Sequence, residues 1–228
     1  MSGVADRLAE VERRIASACA RAGRRRADLT LVGVTKTHPP ETLLEAWEAG
    51  LHLFGENRVQ EAAEKVPHLP RETEWHLIGP LQSNKVRPAL DLFRTIHSID
   101  RPKIAHAVDA EAARRGVEIA GFLEVNLAGE ETKHGFPLAD FAETVAPLAG
   151  LHHLKIRGLM AIPPLGGPAE ASRSWFRQLR ELRDELALRP EWAGFPGWLS
   201  MGMSDDFEVA IEEGASHVRI GTAIFGRR

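Results

Sequence analysis

The stretch ADLTLVGVTK, residues 27–36, packs leucine and β-branched valine into a short run and stops on a lysine. A run of that length reads as a strand buried on both faces, as in a parallel sheet. Further runs of the same kind follow at 51–55, 74–79, 95–99, 118–127, 155–161, 197–201 and 217–221. The segments between them are helical in pattern: PPETLLEAWEAG, NRVQEAAEKV, RPKIAHAVDAEAARRG, PLADFAETVAPLAG and the long run 168–188. SDDFEVAIEEG, after the seventh strand, opens on a Ser cap with two acids and closes on Gly214, as helix-end electrostatics favours. A further helix precedes the first strand at about 3–22, with Val4, Leu8, Val11, Ile15 and Ala18 on one face. Eight alternations in 228 residues predict one (β/α)8, TIM-type barrel with an extra N-terminal helix. A doubly wound open sheet would alternate in the same way. No linker or composition break divides residues 1–228, and PPLGGP at 163–168 reads as the connection after the sixth strand.

Composition narrows the partners. The formal net charge is -3, from 29 Lys and Arg against 32 Asp and Glu, which gives no basic field for nucleic acid or anionic lipid. No apolar run approaches the roughly 20 residues that span a bilayer. The charged, helical start MSGVADRLAEVERRI is not a signal peptide in pattern. With Cys19 as the only cysteine, a cytoplasmic protein is expected. Tyrosine is absent altogether, which removes one common acid or base. Ten histidines invite a metal, but there is no HExxH, and the adjacent His152 and His153 would point apart on a strand. RAGRRR at 21–26 reads as a helix end, most of the five tryptophans as packing, and Cys19 as a buried thiol. Trp75 is the tryptophan placed to report on a pocket.

Polar residues recur where the strands end, the face on which barrel enzymes place their sites. Lys36 ends LTLVGVTK, Asn57 ends LHLFGEN, His76 interrupts EWHLIGP, Asn126 ends FLEVN, Met160 ends IRGLM, Ser200 ends GWLS, and Arg219 to Thr222 end HVRIGT. A lysine at the mouth of a barrel, partly desolvated, is suited to attack an aldehyde; the plainer alternative is a lysine that reaches out to solvent. In a closed barrel the last two strands neighbour the first, so SMGMS at 200–204 and RIGT at 219–222 would converge near Lys36. Gly202 and Gly221 would let backbone N–H groups approach an anion, Ser200, Ser204 and Thr222 add hydroxyls, and a helix starting near Ser204 would present its positive end. That combination predicts a phosphate site. Arg219 would face a cofactor ring or pair with Glu208 or Glu212.

VGVTKTHP (32–39), FGENRVQE (54–61), WHLIGPLQSNK (75–85), IRGLMAI (156–162), SMGMSDDFEVAI (200–211) and VRIGTAIFG (218–226) together resemble the pyridoxal phosphate homeostasis proteins, relatives of the alanine racemase barrel domain. The resemblance covers nearly the whole chain. It implies that Lys36 carries pyridoxal 5′-phosphate (PLP) as a Schiff base, that Ser200, Ser204, Gly221 and Thr222 hold the phosphate, and that Arg219 lies near the pyridine nitrogen. Asn57, Met160 and Met203 would line the pocket. An arginine there leaves the nitrogen unprotonated and the ring a weak electron sink. Two segments depart from the family: Arg58 replaces a tyrosine in GENYVQE, and TKHG at 132–135 replaces SKSG. Lys133 and His134 form a solvated loop or a lid over the site.

Three functions follow. The first is a PLP carrier that buffers or delivers the cofactor to apo-enzymes, acting as a monomer without turnover of its own. The second is an amino acid racemase, which needs an acid or base on each face of the substrate. Related racemases draw one of these, a tyrosine, from an additional domain of a partner subunit, and this chain would have only His76, Lys36 and His134. The third is a Schiff-base aldolase, whose lysine usually lies on a later strand beside carboxylates; VGVTKTHP has none.

Overall fold

The computed structural model describes residues 3–130, 134–164 and 166–226. Its strands are β1 (Thr30–Val34), β2 (Leu53–Glu56), β3 (Glu74–Leu77), β4 (Thr95–Ile99), β5 (Ile119–Asn126), β6 (Phe136–Pro137), β7 (Leu154–Met160), β8 (Trp198–Ser200) and β9 (His217–Ile220). All pair in parallel, and the β4–β5 and β1–β9 ladders close the sheet. The barrel runs β1-β2-β3-β4-β5-β7-β8-β9, and the two-residue β6 pairs with the end of β5 outside that ring. The closed barrel expected from the sequence is present, and the open sheet is not. β6 is new, and strand ends shift by one or two residues from the sequence reading.

The helices are α1 (Val4–Arg21), α2 (Pro40–Glu48), α3 (Val59–Lys65), α4 (Val86–Leu92), α5 (Pro102–Arg115), α6 (Phe141–Val145), α7 (Arg173–Ala187), α8 (Phe207–Glu212) and α9 (Thr222–Phe225). α4 is not among the helical stretches read from sequence. Its Pro88 falls in the first turn, where a missing N–H loses no intrahelical bond. PLADFAETVAPLAG yields only the single turn and a half of α6 before Ala146–Gly150 tightens to a 3-10 helix. α8 starts at Phe207, not near Ser204: Asp206 Oδ1 accepts the Met203 N–H at 2.7 Å, which closes the preceding stretch into a turn.

Side-chain alternation sorts the strand residues. Leu31, Leu77, Ile96, Leu123, Leu159, Leu199, Val218 and Ile220 belong to the core shared with the helices. Facing inward instead are His76, His97, Phe122, Trp198 and His217, which form one ring cluster; His97 stacks on Phe122 at 4.4 Å and His217 meets Phe122 edge-on at 5.0 Å.

α1 closes over α8 and α9. Val4, Leu8, Val11, Ile15, Ala18 and Cys19 are buried on its inner face. The basic run that ends it is paired: Arg21 with Glu212, Arg25 with Asp28, Arg26 with Glu12, while Arg24 donates to the Ile211 carbonyl. The carboxylate of Glu213, buried, takes Arg173, Arg177 and Arg180 of α7. Ile15 is fully buried, so Ile15→Ala is expected to cost about 2–5 kcal/mol, as leucine- and isoleucine-to-alanine changes in cores do. A urea midpoint unchanged from wild type would show that α1 is an appendage and not part of the barrel's core.

Candidate functional site

A cavity of about 510 Å³ opens at the carboxyl ends of the strands. Lys36, Asn57, Met203, Ser204, Arg219, Gly221 and Thr222, all expected at the site, line it; so do Glu124, Asn126 and His134. Parity explains most of this. Lys36 extends the inward series Val32, Val34; Asn57 follows Gly55; Asn126 follows Phe122 and Glu124; Gly221 follows His217 and Arg219. Lys36 is exposed at the mouth, less desolvated than the sequence suggested.

The loop carrying Lys36 is pinned from below. Lys65, a buried lysine of α3, donates to the Thr35 carbonyl at 2.7 Å, to Glu56 at 2.6 Å and to Glu61 at 2.7 Å. Thr35 Oγ1 donates to the same Glu56 oxygen at 2.6 Å, and Glu61 accepts the Thr37 N–H. Thr37 has φ 64, a conformation that a β-branched residue takes only when its surroundings compel it. The Lys65 node therefore fixes the exit direction of the chain at Lys36. Just past the end of β3, Gly79 admits no side chain, because a Cβ there would lie 2.4 Å from the Asn57 carbonyl oxygen. That contact sets Asn57 against the wall.

Beside Lys36, because β9 pairs with β1, lies the corner expected to take an anion. Ser204 Oγ, in the turn before α8, accepts the Ala223 N–H at 3.3 Å, so the turns after β8 and β9 meet there. With α8 beginning only at Phe207, the donors available are the Ser204 and Thr222 side chains and the Gly221 backbone, where the short α9 begins, rather than the start of α8. Gly202 is not on the wall: it has φ 92, and a Cβ would strike that of Ala210 at 2.5 Å. It lets the chain turn against α8.

Two of the expected residues lie deeper than the cavity wall. Ser200 is fully buried beneath the cavity, its Oγ held by Arg219 Nη1 at 2.6 Å and 2.7 Å from His97 Nδ1. Met160 is also fully buried, one inward step below Ile162, which lines the cavity in its place. Arg219 pairs with neither Glu208 nor Glu212, which are taken by Arg14 and by Arg21 and Arg173. It reaches inward to Ser200 and to the Ala161 carbonyl at 3.0 Å, and burial lowers its pKa to about 10. His76, considered as a base, sits in the interior ring cluster, held neutral by burial with a pKa of about 3. Trp75 faces the opposite way, against Phe54 at 5.6 Å, and touches no cavity wall. His134 stands at the rim, Nδ1 3.4 Å from Asp100; Lys133 lies outside the described residues. Among the described residues no cluster of potential metal ligands occurs.

Glu124 is the residue the sequence reading missed. Burial, then the nearby Asp100 carboxylate, raise its pKa to about 7 against the pull of Arg219. An acid inside the apolar strand FLEVN was the available signal.

These features define a class first: a parallel barrel whose carboxyl face holds a lysine, an anion corner and a buried arginine. The family profile described as "Alanine racemase, N-terminal domain" matches residues 7–228. The chain belongs to the pyridoxal phosphate homeostasis protein family. A member from Aquifex aeolicus is 46% identical over 98% of this chain and 97% of its own length, and one from Escherichia coli K12 is 39% identical over 100% and 98%. Among solved structures, PipY of Synechococcus elongatus with PLP bound superposes with TM-score 0.83 at 37% identity, covering 98% of this chain and 100% of that one. Alanine racemase of Corynebacterium glutamicum shares the fold at TM-score 0.71 and 18% identity, over 96% of this chain and 60% of the racemase.

Glu124 gives the site a pH signature. Its folded-state pKa of about 7 exceeds the 4.5 of an ordinary glutamate, so its protonated form stabilises the fold below pH 4.5 and that contribution is lost as pH rises through 7. Glu124→Gln is therefore expected to match wild type in acid and exceed it by roughly 2–3 kcal/mol at pH 8. The buried histidines, which act in the opposite sense as pH falls, cancel in the difference. Urea melts at pH 4.5 and 8 that show no change in the difference would place Glu124 in water.

Proposed function

We propose that this protein binds PLP in the cavity through a Schiff base on Lys36 and acts in the cytosol, as a monomer, in PLP homeostasis. It holds the cofactor and passes it to apo-enzymes, without a turnover of its own. The observation that carries the reading is the convergence of Lys36, the Ser204, Gly221 and Thr222 corner, and Arg219 on one cavity, together with the family's name and the PLP bound to PipY.

The residues present fit the cofactor. An amine is needed for its aldehyde, hydroxyl and backbone donors for its phosphate, and a cavity of about 510 Å³ exceeds what the ring and phosphate require. Ser204 and Thr222 would hold the phosphate, Gly221 lets the backbone close on it, and Asn57 and Ile162 flank the ring space. When bound, PLP supplies a conjugated aldehyde that condenses with the Lys36 amine and releases water. Arg219, cationic and already anchored, favours an unprotonated ring nitrogen, which suits retention better than carbanion chemistry. A carrier reading also agrees with the position of His76, away from the cavity.

The test is titration of PLP into the protein, followed by borohydride reduction and peptide mapping. A visible absorption band and a reduced adduct on Lys36 are expected. Lys36→Ala should lose the band and keep the wild-type melting temperature, because the side chain stands outside the core. A protein that takes up no PLP, or an adduct confined to other lysines, overturns the reading. Alanine racemisation well above that of free PLP would move it from carrier to enzyme.

A further inference from the structure

We infer that Ser200, His97 and His76 are positioning residues, a hydrogen-bond chain through the barrel interior that anchors Arg219 and holds it apart from Glu124. The inference concerns the PLP site proposed above and rests on that reading for its binding readout alone.

The chain has one sense. A guanidinium only donates, so at 2.6 Å from Arg219 Nη1 the Ser200 hydroxyl accepts. Its own proton then goes to His97 Nδ1, 2.7 Å away. With Nδ1 accepting, the proton of neutral His97 lies on Nε2, which faces His76 Nδ1 at 3.0 Å. His76 in turn carries its proton on Nε2. Each link fixes the tautomer of the next, and a second proton on His97 would set donor against donor. Burial opposes such a proton: His97 is held well below its ordinary pKa, first by burial and then by His76, His217 and Arg219. Ser200 and His97 are fully buried, Arg219 is 4% exposed and His76 9%, so the links from Arg219 through Ser200 to His97 are shielded from bulk water.

At the head of the chain both terminal nitrogens of Arg219 are committed, Nη1 to Ser200 and Nη2 to the Ala161 carbonyl. Glu124 lines the same cavity, 9% exposed, and no hydrogen bond to it occurs among the described contacts. A buried arginine beside a buried carboxylate would ordinarily form a bidentate pair. Here the two charges feel each other without contact. The anchor keeps Arg219 directed at the ligand space and leaves Glu124 uncommitted. Removing the Ser200 oxygen releases Nη1 and lets the guanidinium turn to Glu124.

Ser200→Ala, alone and combined with Glu124→Gln, tests this in two readouts. In the unliganded protein, carbon-13 NMR of the Glu124 carboxyl, assigned by its loss in Glu124→Gln, should titrate about one pH unit lower in Ser200→Ala, a shift equivalent to a tenfold change in the pairing equilibrium. The groups facing that carboxyl, Asp100 and Arg219, with His134 beside Asp100, are left in place. In binding, Ser200→Ala should weaken PLP by about tenfold, and most of that loss should vanish in the Glu124→Gln background. An unmoved Glu124 titration, or an equal loss of affinity in both backgrounds as for a direct phosphate ligand, overturns the inference. Should Ser200→Ala fail to fold, His97→Phe keeps a ring on Phe122, removes the acceptor, and should lower the Glu124 titration in the same direction. If the wild-type protein takes up no PLP, the functional reading fails by itself and the NMR titration alone decides this one.

Discussion

The interior of an eight-stranded barrel is filled by side chains, and a cation placed there must find every partner inside. Arg219 does so with Ser200 and the Ala161 carbonyl, and the lowered pKa shows what burial still costs it. Much of the interior's unusual polarity follows from this one residue. Ser200 needs an acceptor for its proton, and His97 supplies it. His97 in turn needs an acceptor, and His76 supplies that. The aromatic faces of Phe122 and Trp198 fill the space around rings that stay neutral.

A second buried cation, Lys65, organises the outside of the same site. It gathers the end of β1, the end of β2 and the first turn of α3 through Thr35, Glu56 and Glu61. Removing one partner from such a node is strongly destabilising, because it strands the others in a low-dielectric setting. The strain at Thr37 persists because the node over-determines it, so the direction of Lys36 is a property of α3 as much as of β1.

The barrel was legible because a parallel strand buried on both faces leaves a continuous apolar run, and eight of them cannot be arranged in many ways. Position at the strand ends then put Lys36, Asn57, Arg219 and Gly221 at the carboxyl face, and period-two alternation explains why all four line the cavity. What alternation does not give is depth. Ser200 and Met160 have the correct parity, yet each lies one layer below the wall, since strand tilt staggers equivalent residues along the barrel axis. Lys65 looks like any lysine near the end of a short helix, and only the closed fold shows that it turns inward. Glu124 was legible in principle, as an acid in an apolar strand. α8 was read too long because Ser204, Asp205 and Asp206 suit a helix start and a tight turn equally, and the Asp206 side chain chose the turn.

The cavity that results is polarised. Lys36, Ser204, Thr222, the Gly221 backbone and Arg219 put donors on the walls formed by β1, β8 and β9. Glu124 and Asn126 put acceptors on the wall formed by β5, and the Asn126 Oδ1 has no partner among the described residues; Asp100, with one oxygen also unpartnered among them, stands behind. Buried groups left without partners cost stability, and the carboxyl of Glu124 meets that cost by staying protonated to about pH 7. A ligand with an anion at one end would therefore be drawn to the donor walls rather than to the acceptor wall. Lys36 and the Ser204, Gly221 and Thr222 corner share a side of the barrel, so a short phosphate-bearing aldehyde would reach both at once.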